Sequence, residues 1–294
     1  MRILVTGGTG FVGAALTKSL SSEGHEIVLL TRHDAPPPGK ELPIEWLAGI
    51  DAIINMAGES IAGNRWTDSY KKRIRQSRIP LTQALVKACD DAAKKGLPVP
   101  RVLVSFSAVG YYGTDPSADF DEQSPPGNSW LARVARDWEL ATVGISEAKV
   151  RLVILRLGVV LGPGGFLQRL APPFRLFAGG PAGDGRQWIS WIHRDDVVDV
   201  VGKALCDATM QGVYNLTSPE PASMNQMAAA IAKALGRPAW LSVPAAVLRL
   251  LFGEMADELI LNGQRVLPKR LSEAGFSFKY PVLSEAVNAS FQSD

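Results

Sequence analysis

The N-terminal half of the chain alternates short apolar runs with helix-patterned segments. A glycine-rich turn joins the first run to the first helix, and the rhythm changes beyond Gly162. Together these observations predict an α/β fold: a doubly wound parallel sheet covered on both faces, followed by a smaller C-terminal α/β substrate lobe. In order, Arg2 to Thr6 reads as a buried strand, and Phe11 to Glu23 as a helix with Phe11, Ala14, Ala15 and Leu20 at helical spacing. His25 to Leu30 and Asp51 to Asn55 are strands separated by a proline-rich loop from Asp34 to Pro43. Ser69 to Lys95 reads as a helix broken or kinked near Pro80, where the ring cannot continue the hydrogen-bond ladder. Arg101 to Phe106 is a strand, Trp130 to Glu147 a helix and Arg151 to Leu155 a strand.

Glycine, proline and aromatic residues crowd Pro163 to Gly185. A helix follows at Asp195 to Ala208, a strand at Gly212 to Leu216, and helices at Asn225 to Leu235 and Pro244 to Phe252. The expected division is a core of residues 1–162, to which 186–217 return, with 163–185 and 218–294 forming the smaller lobe. No internal repeat interrupts this plan.

Composition narrows the class of partner. Thirty-one basic against 29 acidic residues leave a net charge of +2, too small to imply nucleic acid as the main partner. No apolar run reaches the length of a membrane-spanning helix, so no membrane partner is expected and a cytoplasmic location is. Cys89 and Cys206 stand in no paired or metal-spaced array and are expected as buried thiols of a reducing compartment. His25, His33 and His193 are too scattered for a metal motif, so no metal site is expected.

The strongest motif is Val5-Thr6-Gly7-Gly8-Thr9-Gly10-Phe11-Val12-Gly13. It lies between the first strand and the first helix, where a Rossmann-type fold aims a helix N-terminus at a dinucleotide pyrophosphate. Glycines there serve a tight turn, close approach to phosphate, and packing of helix on strand. The second strand ends in Leu30-Thr31-Arg32-His33, with no acid before Asp34. An acid at that place favours NAD, whereas a guanidinium accommodates the 2'-phosphate of NADP. NADP(H) is therefore the expected cofactor, unless Arg32 is only a solvated charge.

These residues resemble an extended short-chain dehydrogenase/reductase of the nucleotide-sugar epimerase and dehydratase type. Thr6 to Gly13 is similar to its T-G-x-x-G-x-x-G, Asn55-Met56-Ala57-Gly58 to its N-x-A-G loop, Ser105 to Gly113 to its serine-bearing strand end, and Trp188 to Asp196 to its F-I-H-x-D-D segment. The resemblance is closer to an atypical epimerase-like subgroup with a small C-terminal domain of unknown function. It rests on Glu59-Ser60-Ile61, Arg65-Trp66-Thr67, Ser77-Arg78-Ile79, Arg136-Asp137-Trp138-Glu139, Leu267 to Leu271, and Ala274 to Phe278 followed by Tyr280-Pro281. It implies cofactor contacts from Gly7, Thr9, Gly10, Phe11, Val12, Thr31, Arg32, Asn55, Ala57, Gly58, Glu59, Arg78, Ser107 and Arg156.

One departure is chemical. The family works with Tyr-x-x-x-Lys, a proton carrier and the cation that lowers its pKa. Counting back from Glu139, Leu131 and Ala135 occupy those places, and neither transfers a proton. The proton-relay Asn of the family is replaced by Arg78, and the Cys frequent in the subgroup at the lysine position is absent. Ser107 remains as a catalytic candidate, or as a residue that satisfies local backbone groups. Tyr111 and Tyr112 read either as substitute acids or as a packed aromatic pair. Arg78 reads as an anion clamp or as part of a solvated basic face. His193 is a proton carrier or a helix-capping residue, and Trp66, Trp188 and Trp191 are candidates for an aromatic wall; together with Tyr112 and His193 they make up the expected substrate pocket.

Two functional classes follow. One is an NADP(H)-dependent oxidoreductase on a small carbonyl or alcohol, relying on Ser107 and Tyr111. The other is a non-catalytic NADP(H) sensor. A homodimer is compatible with either.

Overall fold

The computed structural model describes residues 1–292. In chain order the first elements are β1 (Arg2–Thr6), α1 (Phe11–Ser22), β2 (Glu26–Leu30), β3 (Ala52–Asn55), α2 (Asp68–Gln76), α3 (Ile79–Lys94), β4 (Val102–Ala108) and β5 (Asp119–Phe120). Next come α4 (Trp130–Leu140), β6 (Arg151–Leu157), β7 (Val159–Leu161), α5 (Gly165–Arg175), β8 (Trp188–Ile189), β9 (Trp191–His193), α6 (Arg194–Cys206) and β10 (Gly212–Leu216). The chain closes with β11 (Ala222–Ser223), α7 (Met224–Leu235), α8 (Ala245–Phe252), β12 (Arg265–Val266), α9 (Lys269–Glu273) and α10 (Leu283–Gln292).

A six-stranded sheet in the order β10-β6-β4-β3-β1-β2 forms the centre. Parallel pairing aligns Thr6 with Leu30 on one side and with Asn55 on the other, so β1, β2 and β3 end at the same level. Ile3, Leu4 and Val5 are fully buried, as expected where helices cover both faces of a parallel sheet. The direction of crossover reverses at β1, and the crevice between β1 and β3 is the topological switch point at which such sheets bind ligands.

The structure separates two units of interleaved chain: 1–108, 134–156 and 198–213 form one, and 109–133, 157–197 and 214 onward the other. Residues 109–133, expected in the first unit, thus belong to the second, where Val109 and Tyr112 pack with Val266. The core of the first unit joins Leu4, Ile53, Leu85 and Leu103. That of the second joins Leu161, Phe174, Trp191, Met227 and Val287.

The break expected near Pro80 divides the 69–95 segment into α2 and α3, with Pro80 in the first turn of α3, where its missing N–H costs nothing. Two local differences from the sequence expectation have physical causes. The helix expected to Glu147 stops at Leu140, because Gly144 at φ 94° and Lys149 at φ 59° enclose a separate 3-10 turn at Ile145–Ala148. Residues 165–175, to which the sequence analysis assigns no element, form α5 in spite of Pro172 and Pro173, because Leu167, Ala171 and Phe174 bury one face. Burial pushes the Cys89 thiol up to about 12. Cys206, expected to be buried, is exposed at the end of α6. Among the described residues no helix is long and apolar enough to cross a membrane.

Candidate functional site

The phosphate turn is built by steric exclusion. Gly7 has φ 74°, and a Cβ there would lie 2.8 Å from the Met56 carbonyl oxygen. A Cβ on Gly13 would overlap Gly7 O and lie 2.7 Å from Gly8 Cα, so α1 can approach β1 this closely only with glycine. Gly10 is different. Its N–H donates to Gly7 O at 3.1 Å, and a Cβ placed on it would meet Gly7 O at 3.4 Å, an ordinary contact. Its outer side is open. Gly10 is also the N-cap of α1, with no side-chain cap and no acid in the first turn. The positive end of the helix dipole is therefore left for an external anion. Thr9 is exposed there, and Phe11 and Val12 are half-buried.

A buried relay of hydroxyls holds the loop opposite this turn. Thr6 Oγ1 donates to Asn55 Oδ1 at 2.8 Å and accepts the N–H groups of Met56 and Ala57 at 3.2 and 3.1 Å. Asn55 Nδ2 donates to Thr82 Oγ1 at 2.8 Å, and Trp138 Nε1 reaches the same oxygen at 3.0 Å. Asn55, expected against the cofactor, is thus turned inward, its amide committed to Thr6 and Thr82. It positions Ala57 and Gly58. Thr6, Thr82 and Trp138 were not singled out for this role in the sequence, because their partners lie far away along the chain.

Arg78 also acts through the loop. Its guanidinium donates to Glu59 O at 2.7 Å and to Ile74 O and Ser77 Oγ at 3.0 Å, and it lies 5.3 Å from the Trp138 ring. Burial lowers its pKa to about 10, offset in part by the neighbouring Glu59 charge. A Cβ on Gly58 would meet Arg78 Cζ at 2.7 Å, so Gly58 lets the loop rest on the guanidinium. In this structure the guanidinium holds the loop through Nη1 and Nη2.

At the end of β2, Arg32 is 81% exposed and its Nη2 is 3.2 Å from Glu59 Oε2. Asp34, the nearest acid after the strand, accepts from the N–H and hydroxyl of Thr31. The β1 turn, Arg32 and Glu59 all emerge from the C-terminal edge of neighbouring strands.

Glu139, which closes the Arg136-Asp137-Trp138-Glu139 motif and to which the sequence assigns no chemical role, organises a buried network. Ser107 Oγ donates to Glu139 Oε1 at 2.7 Å, while Arg156 Nε and Nη2 donate to the two carboxylate oxygens at 2.8 Å each. The Arg156 side chain is 4% exposed, and its fork grips Glu139 in the bidentate geometry that suits a guanidinium. Arg156, expected on the cofactor, is drawn inward by this carboxylate. Glu139 stands four residues beyond Ala135 and eight beyond Leu131, on the helical face where the usual proton-transfer pair would project. That spacing was the available signal.

The remaining predicted residues divide by burial. Trp66 is buried and donates to Ile61 O at 2.7 Å. In the second unit, Tyr112 is buried, stacks on Phe120 at 5.3 Å and donates to Asn215 Oδ1 at 2.6 Å. Trp191 is fully buried and donates to Glu220 O at 2.9 Å. All three were expected to line a pocket; with rings enclosed and donors satisfied, they pack. Tyr111 meets Tyr112 edge to face at 5.4 Å and is half-buried, as is Trp188, whose N–H reaches Pro116 O at 3.3 Å.

His193 is buried, lies 4.0 Å from the Tyr280 ring, and accepts the Asp195 N–H on Nδ1 at 3.2 Å. Burial depresses its pKa; Asp195 opposes that shift, while Arg194 and Lys279 add to it. The unfolded chain therefore takes up a proton near pH 6.5 that the folded chain refuses, so this contribution is full above that pH and falls as the pH drops below it. Urea midpoints at pH 7.5 and 5.5 are expected to differ less in His193→Gln than in the wild type.

A glycine turn opening onto a helix N-terminus, at the switch point of a parallel sheet, defines a dinucleotide-fold protein. The chain belongs to the NAD dependent epimerase/dehydratase family, whose profile matches residues 3–217; a domain of unknown function, DUF1731, matches residues 243–290. It is 41% identical to the epimerase family protein SDR39U1 homolog, chloroplastic, of Arabidopsis thaliana, over 99% of this chain and 87% of that protein. It is 38% identical to the mouse epimerase family protein SDR39U1, over 98% of each chain. The crystal structure of human SDR39U1 isoform 2 with NADPH superposes with a TM-score of 0.90 at 34% identity, covering all of both chains.

Proposed function

We propose that this protein binds NADP(H) and acts as an oxidoreductase on a small carbonyl or alcohol. The observation that carries the cofactor reading is Arg32, an exposed guanidinium at the end of β2. A guanidinium at this place in a dinucleotide fold accommodates the 2'-phosphate of NADP, and Asp34, the nearest acid of that segment, is engaged by Thr31. The human relative described with NADPH supports the same choice.

The amide end of α1, with Gly10 open beside it, would hold the pyrophosphate, and Ala57 and Gly58 the adenosine side. The bound cofactor supplies hydride transfer. The chain's own part is the proton. In the oxidising direction an alcohol proton moves to Ser107 Oγ as the Ser107 proton moves to Glu139, and reduction runs the same path backwards. Arg156 holds the carboxylate in place for that exchange.

Leu131 and Ala135, which carry no proton, favour a second reading in which NADP(H) is sensed without turnover. Incubation with NADPH and a panel of aldehydes, ketones and quinones separates the two: substrate-dependent NADPH loss supports the enzyme, and binding without consumption supports the sensor. Arg32→Ala is expected to weaken NADPH binding about tenfold and leave NADH nearly unchanged. An unchanged ratio of affinities would remove the NADP assignment.

A further inference from the structure

The carboxylate of Glu59 has no task in the proton path or the phosphate turn. Its main chain is clamped on both sides: the N–H donates to Ser77 Oγ at 2.8 Å, and the carbonyl accepts from Arg78 Nη2 at 2.7 Å. Ser77 in turn donates to Ile74 O at 2.8 Å, which ties the clamp to α2. The side chain is 27% exposed, against 81% for Arg32, so the acid is the anchored member of the pair.

We propose that Glu59 is a cofactor-specificity residue: from the loop after β3 it supplies the ribose-binding carboxylate that the end of β2 lacks, and so admits NADH alongside NADPH. This rests on the NADP(H) reading of the site. A carboxylate accepts a hydrogen bond from a ribose 2'-hydroxyl and repels a 2'-phosphate; a guanidinium attracts the phosphate. The two groups lie 3.2 Å apart and serve the same ribose position with opposite preferences. With NADH, the ion pair stays intact and Glu59 takes the hydroxyl. With NADPH, Arg32 turns to the phosphate, and because a solvent-facing pair is weak, that rearrangement costs little. Glu59 thereby narrows the discrimination that Arg32 alone would impose.

Glu59→Gln keeps the size of the side chain and both main-chain clamps. Calorimetric titration with NADPH, NADH, 2',5'-ADP and 5'-AMP reads the effect without any substrate. The variant is expected to bind NADPH and 2',5'-ADP about threefold to tenfold tighter, and NADH and 5'-AMP weaker by a similar factor. Glu59→Asp, whose carboxylate is withdrawn by one methylene, should move the ratio in the same direction. Unchanged ratios, or weaker NADPH binding because Glu59 assists Arg32, would overturn the proposal alone. A wild-type protein that binds neither dinucleotide would overturn the cofactor reading and the proposal with it.

Discussion

Gly10→Val is expected to abolish dinucleotide binding while leaving the fold intact. Gly10 has an ordinary extended backbone, φ −75° and ψ 177°, which valine adopts readily. Gly10 is exposed, and a Cβ built on it would lie 3.4 Å from Gly7 O, an ordinary contact. A branched side chain there would occupy the space in front of the α1 amide groups. The expected loss is at least about 100-fold in NADPH affinity, or roughly 2.7 kcal/mol, with a wild-type circular dichroism spectrum and melting temperature. Gly13→Ala provides the contrast. Its methyl group would overlap Gly7 O, a backbone atom that cannot turn aside, so this variant should lose stability by about 1–3 kcal/mol. Equal destabilisation by the two changes would show that Gly10 is structural as well.

Arg156→Ala is expected to produce the largest loss of stability. It would leave the Glu139 carboxylate enclosed with Ser107 and without its bidentate cation. Breaking a buried pair from one side costs about 3–5 kcal/mol, because the remaining charge has lost the solvent and the partner together. In a chain of this size that corresponds to a melting temperature lower by about 5–10 °C. Replacing both residues, as in Arg156→Met with Glu139→Leu, removes the orphaned charge. The double variant should therefore lose less than the sum of the two single changes, and a double-mutant cycle by thermal unfolding measures the difference. Additive losses would mean that the pair is not coupled.

The first unit is legible in the sequence because its determinants are local. β1 has the predicted bounds, Arg2–Thr6, and α1 starts at the predicted Phe11, since apolar periodicity and the glycines mark both. Long-range commitments are what the sequence could not display. Asn55 faces inward because Thr6 and Thr82 take its amide, and Arg156 faces inward because Glu139 lies across from it. The aromatic residues failed for a related reason. Composition makes Trp66 and Trp191 equally suited to a pocket wall or a core, and only enclosure decides between them. α5 was missed because two prolines outweigh a buried face in local reasoning.

The most direct measurement is the equilibrium titration of the wild-type protein with NADPH and NADH, followed by tryptophan fluorescence and checked by calorimetry. Saturable binding of one NADPH per chain, tighter than NADH and weakened by Arg32→Ala, is the predicted result. Failure to bind either dinucleotide would contradict the assignment of the β1 turn and the α1 N-terminus as a cofactor site.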